Sequence, residues 1–150
     1  MDKISNGDFH MRGIKLDHVT FQTQHRNEMV ELTARVQQGV TSAGVGSGMA
    51  VVFVAHTTAA ITINENADPD VKTDLLRKLE TLIPQNETYY QHDEGNSDSH
   101  LKASLVGQSV TVLIEQGRLQ LGRWQGIYLC EFDGPRERRV LLKLVSFDEG

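Results

Sequence analysis

From Met49 to Ala55 the chain reads Met-Ala-Val-Val-Phe-Val-Ala, with no charged or hydrogen-bonding side chain. So short an apolar run, rich in β-branched residues, predicts a strand covered on both faces. Alternating patterns predict half-buried strands elsewhere. Ile61 and Ile63 alternate with Thr62 and Asn64, and Val110, Val112 and Ile114 alternate within Ser109–Glu115. Met11–Gln24 carries Ile14 and Leu16, then Val19 and Phe21 after a slip at His18. Leu119 with Leu121, Ile127–Asp133 and Val140–Phe147 complete the predicted strands. Gln116-Gly117 and Asp133-Gly134-Pro135 supply turns between them.

Three segments have the helical period instead. Leu32, Val36 and Val40 recur at steps of four with Met29 three residues earlier, predicting a helix over 27–43. In such a helix Glu31 supports Arg35, and Gly44 followed by Val45 forms a left-handed cap with its hydrophobic partner. Asp68-Pro69-Asp70 combines a capping carboxylate, a proline at the first helical position and an acid suited to the helix dipole. The stripe Val71, Leu75, Leu79 and Leu82 follows, until Pro84 ends the helix. A shorter helix over 97–107 starts after Gly95-Asn96. Strands on either side of segregated helices predict an α+β domain, a mostly antiparallel sheet or sandwich with about three helices. That domain spans 14–147, after a polar, flexible segment over 1–13.

The remaining composition narrows the setting. A chain of 150 residues is enough for one domain with a sizeable core. A net charge of −5 with both signs scattered lacks the basic stripe of a nucleic-acid reader. No apolar stretch is long enough for a membrane span, and no signal peptide is evident. Cys130 is the sole cysteine, so a reducing compartment, the cytoplasm, is expected. It alternates against Glu131 together with Tyr128 and Phe132, which predicts a buried structural thiol.

Candidate chemistry concentrates in Tyr90–His100, where His92 and His100 stand among Asp93, Glu94 and Asp98. His56 ends the apolar run at Met49–Ala55. Three neutral imidazoles suit zinc or a similar divalent metal with an open position, and nearby carboxylates would orient them. The competing reading is a solvated polar loop and a histidine satisfied by Thr57 or Thr58. A second cluster, Arg118–Ile127, holds Trp124 between Arg123 and Gln125. A flat ring with amide and guanidinium donors suits a phosphorylated heterocycle, and equally a Trp packed at a strand bend. Glu131 and Asp133 share the strand face of Ile127 and Leu129, where a carboxylate is costly unless it is paired, metal-bound or catalytic. Arg136 and Arg138 are the partners available for simple pairing.

Taken in series, His56-Thr57-Thr58-Ala59, Asn64-Glu65, Asp68-Pro69, Tyr90 with His92, and Gly95-Asn96 with Asp98 and His100 resemble the YjbQ-like family. The match continues through Gly117-Arg118-Leu119, Trp124-Gln125-Gly126-Ile127 and Glu131-Phe132-Asp133-Gly134-Pro135-Arg136, covering about 14–146. The resemblance implies a homotrimer with a metal, commonly zinc, on His56, His92 and His100. It also implies thiamine-phosphate synthase activity, joining a hydroxymethylpyrimidine diphosphate to a thiazole phosphate. Under that expectation the metal, Arg118 and Lys102 neutralise the diphosphate, with magnesium a further candidate ion. Trp124 stacks on the pyrimidine, Gln125 and Asn96 orient it, and Glu131 moves a proton. A metal-dependent hydrolase with Glu131 or Asp98 as base, and a trimeric metal- or metabolite-binding protein without turnover, are the alternatives.

Overall fold

The computed structural model describes residues 9–149; most of the segment expected to be flexible, residues 1–8, lies outside them. The chain forms β1 (Phe9–Gln22), β2 (Glu28–Glu31), α1 (Thr33–Ala43), β3 (Gly48–Val54), β4 (Ala59–Glu65), α2 (Pro69–Leu82), α3 (Ser97–Val106), β5 (Ser109–Glu115), β6 (Arg118–Leu119), β7 (Gln125–Glu131) and β8 (Glu137–Glu149). The strands make a five-stranded sheet in the order β1-β8-β3-β5-β6 and a three-stranded sheet in the order β2-β7-β4. Every pairing is antiparallel, so the expected α+β class with three helices is the one found.

Alternation along the strands builds two cores. Ala50, Val52 and Val54 of β3, Val112 and Ile114 of β5, and Val140, Leu142 and Leu144 of β8 meet Ile61, Ile127 and Leu129 of the smaller sheet, with Val36 and Val40 of α1 among them. The other face of β7, Tyr128 and Cys130, joins Met29, Ala60, Ala103 and Phe132 beneath the half-buried α2 residues Leu75, Leu76 and Leu79. β7 is thus covered on both faces, and burial pushes the Cys130 thiol up to about 12, as befits an inert core residue.

Two expectations need correction. The helix expected from Asn27 begins only at Thr33, and Glu28–Glu31 is strand β2, paired with β7 from Glu28 opposite Glu131 to Glu31 opposite Tyr128. The open edge of β7 supplies backbone partners there, and tertiary pairing outweighs the helical spacing of Met29 and Leu32. Glu31 therefore does not support Arg35 along a helix; Arg35 donates to Gln38 Oε1 at 2.8 Å. The strand at Met49 is covered on one face only: Ala50, Val52 and Val54 are buried, whereas Phe53 is 40% exposed and Met49 and Val51 face outward with it. The helix caps match expectation: Gly44 is left-handed at φ 68°, and Asp68 accepts from the Asp70 N–H at 2.9 Å.

Candidate functional site

Asn96 stands at the N-cap of α3 after Gly95, whose φ of 73° gives the turn expected of glycine. Its side chain does not cap the helix; Nδ2 donates to Asp133 Oδ2 at 2.8 Å, and Oδ1 is buried with no hydrogen-bond partner among the described residues. One turn into the helix, Asp98 is 1% exposed and accepts from Lys102 Nζ at 3.1 Å and Arg26 Nη2 at 3.0 Å. Ser99 donates to the Phe132 carbonyl. Arg136 donates to Asp133 Oδ2 at 3.0 Å. These bonds clamp α3 onto the end of β7 and so fix His100, which follows Ser99. Arg26 was not legible as part of this clamp, because Thr23–Asn27 is a polar stretch without periodicity.

His100 meets His92 edge to face, with ring centroids 5.3 Å apart and planes at 87°. His92 is half exposed, with Glu94 Oε2 3.4 Å from its Nε2. Tyr89, Tyr90, Ser97 and Leu101 join the two imidazoles around one shallow cleft. His100 also borders a neighbouring cleft with Phe53, His56, Thr57 and Ser104. His56 is nevertheless committed elsewhere: its Nε2 accepts from the Arg139 N–H at 2.9 Å. Among the described residues, no three His, Cys, Asp or Glu side chains are placed to hold one metal ion. The donor set found here is a pair of imidazoles, with a third engaged to the backbone.

Burial, followed by the Arg138 guanidinium, holds the His56 imidazole below its usual 6.5. The fold therefore favours the neutral ring, while the unfolded chain takes up a proton near 6.5. Stability is unaffected well above that pH and falls as pH drops through 6.5 toward the lower folded value. His56→Gln is expected to flatten this part of the curve in urea unfolding between about pH 8 and about pH 5. An unchanged slope would remove His56 as its source.

Of the other expected site residues, Glu131 and Lys102 are locked into buried ion pairs, and Arg118, Trp124 and Gln125 stand at other strand ends. Glu131 is fully buried; its carboxylate accepts from Arg138 Nε at 2.9 Å, from Thr23 Oγ1 at 2.7 Å and from the Phe132 and Asp133 N–H groups at 3.0 and 3.1 Å. Arg138 also donates to the Thr58 carbonyl and hydroxyl. This is the simple pairing that the sequence offered as the alternative to catalysis. Lys102 is 1% exposed, facing Asp98 and the Phe132 ring. Arg118 pairs with Glu115, at the Gly48 end of β3, whereas His56 follows Val54 at the other end. Likewise Gln125 is opposite Glu65 while Glu131 is opposite Ala59. At about 3.3 Å per residue, each strand separates its two ends by about 20 Å. Within one chain, Arg118, Trp124 and Gln125 do not share a cleft with the histidines. Trp124 is 52% exposed, with the Arg123 guanidinium 4.7 Å from its ring centroid, and Gln125 Oε1 accepts from the Gly122 N–H.

A family model described as UPF0047 protein YjbQ-like matches residues 17–146. The chain belongs to the YjbQ-like family. It is 48% identical over 131 residues to the UPF0047 protein YugU of Bacillus subtilis, covering 87% of this chain and 99% of YugU. The UPF0047 protein of Methanocaldococcus jannaschii is 49% identical over 125 residues, covering 83% of this chain and 90% of that one. Among solved structures, a YjbQ/UPF0047 protein from Clostridium acetobutylicum superposes with a TM-score of 0.83 at 50% identity, covering 85% of this chain and 98% of that one. One from Sulfolobus solfataricus, described as a YbjQ-like protein of unknown function, gives 0.86 at 32% identity, covering 91% and 99%.

These YjbQ-like relatives overturn the expected activity. They are UPF0047 proteins without an assigned reaction, and nothing in them indicates thiamine-phosphate synthase. The geometry agrees in part: Arg118, Trp124 and Gln125 stand at the far strand ends from the imidazoles, whereas Lys102 and Asn96 sit on the His100 helix but are committed to Asp98 and Asp133. The hydrolase alternative drew its hydroxide from three converging imidazoles, and the described residues do not assemble them. Among the described residues no helix is long and apolar enough to cross a membrane.

Proposed function

We propose that this YjbQ-like protein binds a divalent transition-metal ion on His92 and His100, as an assembly of identical copies. The observation that carries the reading is the contact of the two imidazoles, 5.3 Å between centroids, with Glu94 beside His92. Imidazole nitrogens suit zinc or a neighbouring first-row metal, whereas magnesium prefers carboxylates and water. When bound, such an ion supplies Lewis-acidic charge able to hold the phosphate of a small metabolite. The residues of the chain itself do the positioning: Asp98, Lys102 and Arg26 hold α3 in place, and α3 carries His100. Support for assembly comes from the outward side of the five-stranded sheet, where Met49, Val51, Phe53, Leu113 and Leu141 form an apolar surface. A second copy is the occupant this surface fits, and a homotrimer is the expected form.

Zinc titration by calorimetry tests the metal reading. Wild type is expected to take up zinc and lose it on acidification, because ligating imidazoles must be deprotonated. His92→Ala and His100→Ala are each expected to weaken binding at least about tenfold. No uptake by wild type, or undiminished uptake by the double variant, would sink the proposal.

A further inference from the structure

Away from the histidines, α1 crosses β8 at Gly39, where an added Cβ would come within 2.6 Å of Leu142 Cδ2. The absence of a side chain there brings the helix down onto the sheet. Beside the crossing lies a cleft of about 350 Å³, near the lower limit of small-molecule sites. Its apolar lining comes from Leu142, Leu144 and Ala43. Its charged walls come from two different elements, Arg35 on α1 and Asp17 on β1.

Among the described residues neither charge has an ionic partner. Among the described residues the Arg35 guanidinium donates to Gln38 Oε1 alone, which ties it along the helix. Asp17 accepts the backbone N–H of His18 at 2.9 Å. Among the described residues no ion pair involves either side chain, and they do not pair with each other. One cleft therefore presents a cation, an anion and an apolar floor at once.

We propose that this cleft binds a free α-amino acid with an aliphatic side chain. The carboxylate of the ligand meets Arg35, its ammonium meets Asp17, and its hydrocarbon covers Leu142 and Leu144. Charge-assisted bonds at both ends select the zwitterion over molecules with only one of the charges. Gln38 and Ser42 supply further polar groups on the helical wall.

The test uses the full chain, isotope-labelled, titrated with leucine, isoleucine and valine, and followed by amide shifts. Leucinamide, which lacks the carboxylate, and 4-methylpentanoate, which lacks the ammonium, serve as controls. Leucine is expected to move the amides of Arg35–Ala43 and Leu142–Leu144, and each control to bind at least about tenfold more weakly. Arg35→Gln and Asp17→Asn alter exposed side chains, so both variants should fold, and each should weaken leucine binding about tenfold. His92→Ala should leave it unchanged, which separates this site from the imidazole pair. The proposal is overturned if none of the three amino acids binds at ~10 mM, if the controls bind equally well, or if the shifts map elsewhere.

Discussion

Arg138→Met is expected to destabilise the folded chain by about 3–5 kcal/mol, read as a lower urea midpoint with an unchanged m-value. The guanidinium is 1% exposed and faces a carboxylate that is wholly buried. Removing it leaves the Glu131 charge held by Thr23 and two backbone N–H groups, inside a site that water does not reach. It also strips the Thr58 hydroxyl of its donor and leaves the Thr58 carbonyl with the Phe132 N–H alone. Glu131→Gln fails in the opposite sense, by stranding the cation. Replacing both, as Glu131→Leu with Arg138→Met, should recover much of the loss, because two apolar groups need no partners. A loss below about 1 kcal/mol for Arg138→Met would show that the pair is replaceable by its neighbours. The result also bears on function, since a carboxylate bound on every side is a poor proton carrier compared with one that meets solvent.

The second large effect concerns assembly. Phe53→Asp combined with Leu113→Lys is expected to turn a homo-oligomer into a monomer that keeps its circular dichroism spectrum. Phe53 is 40% and Leu113 60% exposed in the single chain, both on the outward side of the five-stranded sheet. Burying such a side chain is worth about 1.5–3 kcal/mol. Losing two of them from every interface should weaken association by about a hundredfold to ten-thousandfold. Sedimentation velocity measures this directly, with wild type expected as a trimer. A wild-type chain that stays monomeric at ~100 µM would refute self-association through this face.

Legibility in the sequence followed how local each cause was. Caps and turns depend on neighbours in the chain, so Asp68, Gly44 and the Asn96 turn could be read directly. Alternation placed Ile127 and Leu129 on one side of β7 and Tyr128 and Cys130 on the other, as found. The α1 boundary was misplaced because β2 exists only by virtue of β7, almost a hundred residues further on. The strand at Met49 was read as covered on both faces because its composition is apolar throughout, and composition does not encode that only one face is packed. For the site, the sequence pointed to histidines and carboxylates of the right chemistry but not to their separation. The distance from Arg118 and Trp124 to His56 follows from which strand ends coincide, and spacing along the chain does not encode that. Arg26 was invisible for the same reason: its partners Asp98 and Asp133 are brought to it by folding.

Cys130 gives the molecule an internal indicator of its own integrity. With its sulfur sealed between the smaller sheet and α2, and held in the thiol form, it is closed to alkylating and oxidising reagents in the folded state. Disulfide-linked pairs of chains can therefore arise only from molecules whose central strand has opened, so their appearance reports that opening.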